Sequence, residues 1–180
     1  ADDFEAKILD MFVTEWRRQR GSGRPSVVAI VDDAPEEQFL LPEFKLAKAL
    51  LERQGITALI ADARELIWDG NRLTHRGQSI DLVYNRLVDF ALEAPQHAAL
   101  QAAYVSGGAV VTPNPRVHAL LADKRNLTLL SDADRLRQWG LPSQHVDVLL
   151  ASVPKTVLVS PANSDDLWKR RSALFFKPAR

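Results

Sequence analysis

Apolar positions near the start of the chain recur at intervals of three and four: Phe4, Ile8, Leu9, Met11, Phe12 and Trp16. That spacing predicts an amphipathic helix from Asp3 to about Gln19. The cluster Arg20-Gly21-Ser22-Gly23-Arg24-Pro25 breaks it, and Ser26-Val27-Val28-Ala29-Ile30-Val31 follows as a β-branched run of buried-strand length, ended by Asp32 and Asp33. Helical periodicity returns over Phe39 to Arg53 with Gly55 as its stop, and Ile56 to Ala61 reads as a second strand. Leu66 to Thr74 turns at Asp69-Gly70-Asn71 and reads as a small hairpin. Then come a strand over Asp81 to Leu87, a helix over about Pro95 to Ser106, the turn Gly107-Gly108 and a strand over Ala109 to Thr112. Repeated strand–helix–strand order predicts an α/β fold with a parallel, doubly wound sheet.

After Pro113-Asn114-Pro115 the pattern predicts a helix to about Leu130 and a shorter one over Asp132 to Trp139, closed by Gly140-Leu141-Pro142. The texture then changes. An apolar stretch at Val153 to Val159, a helix near Ser164 to Arg171 and a last strand over Ala173 to Lys177 are expected. The implied organisation is an N-terminal helix and linker (1–25), an α/β domain (26–145) and the beginning of a small, incomplete second lobe (146–180). About 30 residues are too few to close a core alone.

Composition narrows the function. The 180 residues carry 23 Lys plus Arg and 23 Asp plus Glu, so there is no net charge and no basic block to attract nucleic acid or an anionic membrane. Neither partner is expected. No apolar run approaches the roughly 20 residues that span a bilayer, and the acidic start lacks the features of a secretory signal. With no cysteine, disulfides and thiolate chemistry are excluded, which fits a reducing, cytoplasmic setting. The chain does not begin with Met, which fits a piece of a longer protein.

An open parallel sheet binds ligands beyond the carboxyl ends of its strands. Three strand ends present polar groups there: Asp32 and Asp33; Asn85, Arg86 and Asp89; Thr112 and Asn114. Arg86 could fork an anionic ligand, or pair with Asp89 as a structural cap. Asp32 and Asp33 could equally end a strand or cap a helix. On a helical wheel Val117, Leu120, Leu121 and Leu127 define an inward stripe with Lys124 near its centre, where an ammonium needs an anionic partner or must snorkel to water. Lys177 leaves the end of the last strand, ahead of Pro178. Phosphate-binding glycine loops are missing, because Gly21-Ser22-Gly23 precedes its strand where such a turn must follow one. His75, His97, His118 and His145 lack metal-ligand spacing and read as surface or hydrogen-bonded residues, so no metal ligand is assigned.

The ordered series Tyr84-Asn85-Arg86-Leu87-Val88-Asp89-Phe90, Val111-Thr112-Pro113-Asn114-Pro115, Asp123-Lys124, Leu141-Pro142, Val153-Pro154-Lys155-Thr156 and Phe175-Phe176-Lys177-Pro178 resembles the ATP-grasp ligases. The likeness is to glutathione-synthetase-like members, from the Rossmann-like pre-ATP-grasp domain into the start of the ATP-binding domain, and runs from Ser26 to the end. The resemblance implies that Lys124 and Lys177 contact ATP phosphates. It also implies that Arg86, with Asp89 and Asn114 beside it, lines the substrate side of the cleft. It further implies an ATP- and Mg²⁺-dependent joining of a small-molecule carboxylate to an amine, with the remainder of the ATP-grasp domain as a partner. The family's glycine-rich lid and acidic Mg²⁺ ligands do not occur here, so no catalytic side chain is assigned and these residues by themselves are expected to be inactive. The alternative is a non-catalytic α/β ligand-binding or assembly module. A nucleotide-dependent oxidoreductase is disfavoured by the absent glycine fingerprint. A homo-oligomer remains open, with the first helix free to pack on its own sheet or on another subunit.

Overall fold

The computed structural model describes residues 2–179. The chain is α/β and folds as two compact units, Ala1–Arg116 and Val117–Arg180. The first unit contains α1 (Asp2–Arg20), β1 (Val27–Asp32), α2 (Leu41–Arg53), β2 (Thr57–Asp62), β3 (Leu66–Trp68), β4 (Leu73–His75), β5 (Gln78–Ser79), β6 (Leu82–Asn85), α3 (Ala98–Val105) and β7 (Val110–Thr112). Four strands form a parallel sheet in the order β2-β1-β6-β7, and β3-β4-β5 form a small antiparallel one. The second unit contains α4 (Pro115–Leu121, begun at the end of the first), α5 (Asn126–Leu130), α6 (Ala133–Gln138), α7 (Ser143–Ser152) and α8 (Ser164–Lys169). No helix among the described residues is long and apolar enough to cross a membrane.

Every residue of β1 is buried, which is why its sequence is an apolar run and not an alternation. Register places Val28 beside Ala58 and Leu82, and Ala29 beside Leu59 and Val83. Alternate residues then feed two cores. Val28, Ala58, Leu82 and Val110 pack with Phe12 of α1 and Leu51 of α2, while Ala29, Val31, Val83 and Val111 pack with Leu100 and Ala103 of α3 and with Leu66 and Leu73 of the small sheet. The first helix therefore packs on its own sheet. Gly55 ends α2 at φ 72°, a left-handed conformation that costs a side chain about 1–2 kcal/mol and glycine almost nothing.

The expected elements up to Thr112 are present, with β5 as an unforeseen third strand that Ile80 helps anchor. Beyond it the structure departs from expectation in three places. The helix expected from Pro115 to Leu130 is broken after Leu121. There the Asp123 carboxylate accepts the Arg125 N–H at 2.9 Å and its Nε–H at 3.0 Å, offering the backbone an alternative to the helical ladder. Ser143–Ser152 form α7, an unexpected helix. Ala173–Lys177 does not form the expected strand among the described residues; Arg171–Ala173 is a 3₁₀ turn and the segment after it runs without a ladder. An apolar run becomes a strand only where another strand offers it hydrogen bonds.

Candidate functional site

Within the first unit the chain passes from β1 to β2 on one side of β1 and then to β6 on the other. The edge beyond the carboxyl ends of β1 and β6 is thus the point where strand order reverses, the place at which parallel α/β sheets bind ligands. Asp32 and Asp33 stand at the end of β1, Asp62 at the end of β2, and Asn85 and Arg86 at the end of β6. Neighbouring strand ends are tied together. Asn85 donates from Nδ2 to the Pro113 carbonyl at 3.3 Å and accepts the Leu87 N–H at 3.1 Å, while the Arg86 N–H reaches the Val31 carbonyl at 2.9 Å. The Thr112–Pro113 peptide is cis.

Arg86 is three-quarters buried, its guanidinium 5.3 Å from the Tyr84 ring centroid and 6.0 Å from that of Phe44. Its polar contacts are long: one NH₂ group donates to the Tyr84 hydroxyl at 3.3 Å and the other to Glu43 at 3.4 Å. Tyr84 donates in turn to Glu43 at 3.3 Å. Arg86 Nε is buried with no hydrogen-bond partner. Of the two readings of Arg86, a cap paired to Asp89 is replaced by a cation tied loosely to Glu43 in the first turn of α2.

Asp89 faces elsewhere. It accepts the Ala94 N–H at 2.8 Å and meets His97 Nδ1 at 2.7 Å, while His97 Nε2 lies 2.9 Å from Asp33. Burial raises the Asp89 pKa, but the bonds from Ala94, His97 and Glu93 outweigh it and the group stays below its ordinary value. Asn114, after β7, accepts from the Tyr104 hydroxyl at 3.5 Å. Two residues in the loops at this edge, Ala34 and Leu92, hold φ of 41° and 56°. Such strain persists only where the surroundings impose it, and it gathers at binding sites.

The acidic groups are not equivalent. Asp32 is buried, which pushes its carboxyl above the ordinary range; the Asp33 N–H and Arg86 pull it down, and the charges of Asp33 and Asp62 push it up. Asp62 is held down to about 2 by the Arg64 guanidinium first of all, against burial and with help from the Arg64 and Ala34 N–H groups. Its ionised form therefore stabilises the fold above pH 3.8, and that contribution is lost as pH falls toward about 2.

Lys124 and Lys177 belong to the second unit. Lys124 lies in the break between α4 and α5, exposed, not on a helical stripe, and Val117, Leu120, Leu121 and Leu127 are themselves exposed. Its backbone N–H donates to the Ala179 carbonyl at 3.2 Å, so its segment lies beside the one carrying Lys177. Lys177 Nζ sits 5.2 Å from the Phe175 ring centroid. Arg86, Asp89 and Asn114 thus share the sheet edge of one unit, and the two lysines share a strip of the other.

Sequence reasoning missed Glu43 as the partner of Arg86 and His97 as the bridge between Asp33 and Asp89. His97 read only as a hydrogen-bonded histidine, since partners 64 and 8 residues away leave no spacing signal. No three His, Asp or Glu side chains among the described residues are grouped to hold a metal ion. Comparison with protein-family models and with curated proteins gives no match.

Proposed function

We propose that the first unit is the acid-substrate side of an ATP-dependent carboxylate–amine ligase, doubly wound and Rossmann-like, with Arg86 receiving the substrate carboxylate. One observation carries this reading: a guanidinium at the strand-order reversal, walled by Phe44 and Tyr84, holds only contacts of 3.3–3.4 Å and leaves Nε unbonded. A carboxylate accepting from Nε and one NH₂ group would satisfy the orphan donor and replace Glu43 with a shorter, charge-assisted fork. Asp89 and Asn114 line the same edge.

In the reaction class implied by the resemblance, a carboxylate oxygen attacks the γ-phosphorus of ATP and ADP leaves. The amine then attacks the acyl carbon and expels phosphate. Developing charge on the transferred group calls for positioned cations. Lys124 and Lys177, on adjacent segments of the second unit, are the groups this reading assigns to the phosphates. The resemblance implies Mg²⁺ at these phosphates, and no residue of this chain is assigned as its ligand. A cytoplasmic setting belongs to the same reading, as the cysteine-free sequence suits it.

The test is titration of the ¹⁵N-labelled chain with succinate and with L-glutamate, reading the Arg86 Nε–H resonance, which is identified by its loss in Arg86→Gln. A saturable shift at about millimolar ligand is expected, as befits a few polar contacts. Arg86→Gln, followed by the backbone amide shifts of residues 85–87, should weaken binding about ten- to hundred-fold, the loss of a charged hydrogen bond or two. A resonance that neither ligand moves would leave Arg86 as a structural residue and favour the non-catalytic module.

A further inference from the structure

His97 closes the short turn Pro95–His97 ahead of α3 and is only 1% exposed. Each of its ring nitrogens meets a carboxylate, Nδ1 with Asp89 at 2.7 Å and Nε2 with Asp33 at 2.9 Å. An ionised carboxylate can only accept, and a neutral imidazole has a single N–H, so both contacts are hydrogen bonds only when the ring carries two protons. The alternative is a proton on one of the acids. The Ala94 N–H bonded to Asp89 at 2.8 Å favours that acid's ionised form, and the Asp33 side chain is 44% exposed. Asp33 ends β1, Asp89 lies three residues beyond Arg86 in the loop leaving β6, and His97 leads into α3. The imidazole therefore ties together the two loops that leave the carboxyl ends of β1 and β6.

We propose that His97, as an imidazolium, is a proton-dependent positioning residue for the Arg86 site, clipping the 86–94 loop to the end of β1 so that deprotonation opens the clip and weakens carboxylate binding. The proposal rests on the reading of Arg86 given above. Loss of the proton leaves one N–H for two carboxylates. Asp33, the more exposed of the two, is the one released to water. The trio then holds two net negative charges where it held one, which also disfavours an approaching anion.

Burial by itself would lower the His97 pKa, but its bonds to Asp33 and Asp89 outweigh burial and raise it above the ordinary histidine value. The clip is thus closed on the acidic side and opens as pH rises through that raised value. Other charges nearby are engaged: Arg64 pairs with Asp62, and Glu65 with His75 and Arg76. Asp32 is bonded by the Asp33 N–H, Glu93 is exposed, and α3 contains no charged residue.

The experiment uses the whole chain, labelled with ¹⁵N-histidine, and succinate as the probe, between about pH 6.5 and 9, where succinate stays ionised and histidine can titrate. Both His97 nitrogens should show protonated shifts at the acidic end and titrate together above the ordinary histidine midpoint. Succinate affinity should fall about ten-fold across the range with that same midpoint. Asp33→Asn, which keeps an acceptor and the fold, should lower both midpoints together by about one pH unit. A ring with one proton at the acidic end overturns the proposal. So does an Arg86-dependent succinate affinity that stays flat through the His97 titration, which leaves the reading of Arg86 intact. Succinate binding undiminished in Arg86→Gln, or binding of both succinate and L-glutamate absent at every pH, overturns the Arg86 reading and the proposal with it; absence of succinate binding alone overturns the proposal.

Discussion

Phe44 and Phe175 are the same side chain in opposite circumstances. Phe44, in the unit 1–116, is fully buried; Phe175, in 117–180, is 85% exposed. The contrast extends to the units themselves. In the first, both faces of a four-stranded sheet are covered by side chains from α1, α2, α3 and the small sheet. In the second, the buried apolar side chains among the described residues are Leu136, Val146 and Leu167, while Leu120, Leu121, Trp139, Val157, Leu158, Val159 and Trp168 face solvent. Its helices run from five to ten residues, below the roughly 12–15 at which an isolated helix becomes even marginal in water. Amphipathic patterning stabilises a helix only when a surface exists for the apolar face to cover, and the first unit provides one in its sheet.

The largest expected effect strikes that sheet-backed core. Phe44→Ala removes a fully buried ring from α2 and should cost about 3–5 kcal/mol of stability. The loss is read as a fall in the urea midpoint, with matching loss of amide protection in β1 and β2. A cost under about 1 kcal/mol would mean that α2 is not part of the cooperative core and would erase the contrast with 117–180.

A smaller effect probes how the little antiparallel sheet is fastened to the main one. Gly108 precedes β7, and a Cβ there would lie 2.1 Å from Cη2 and 2.4 Å from Cζ3 of Trp68, far inside van der Waals contact. Glycine is required here by the close approach of the indole, not by an unusual φ. Gly108→Ala should push Trp68 off its seat and cost about 1–3 kcal/mol, as overpacking does. Thermal unfolding and the Trp68 indole N–H resonance report it together. An unshifted resonance with unchanged stability would show that β3 is not pinned against the start of β7.

The same contrast explains what could be read from the sequence. β1 was legible because a strand buried on both faces is one apolar run, and α2 because Gly55 marks its end where only a left-handed turn fits. Arg86 was legible as a cation at a strand end, since alternation along β6 fixes where the strand delivers its polar residue. Its tie to Glu43 and the Asp33–His97–Asp89 bridge were not, because each joins groups brought together only by tertiary packing. In 117–180 the periodicity of Pro115 to Leu130 was real, but the Asp123 side chain captured the Arg125 N–H and broke the helix, taking Lys124 off the stripe that had singled it out. The apolar run at 173–177 looks like a strand in isolation, and local pattern says nothing about whether a partner strand is available.

The smallest expected effect completes the pair of phenylalanines. Phe175→Ala removes a ring whose described contact is the ammonium of Lys177, 5.2 Å from its centroid. An exposed cation–π contact contributes at most about 0.5–1 kcal/mol, and a surface truncation away from any core feature usually falls within about 0.5 kcal/mol. Phe175→Ala should therefore leave the urea midpoint almost unchanged, against the multi-kilocalorie loss for Phe44→Ala. A cost above about 2 kcal/mol could come only from burial of the ring. It would show that Phe175 is covered in solution, and the contrast with Phe44 would fail.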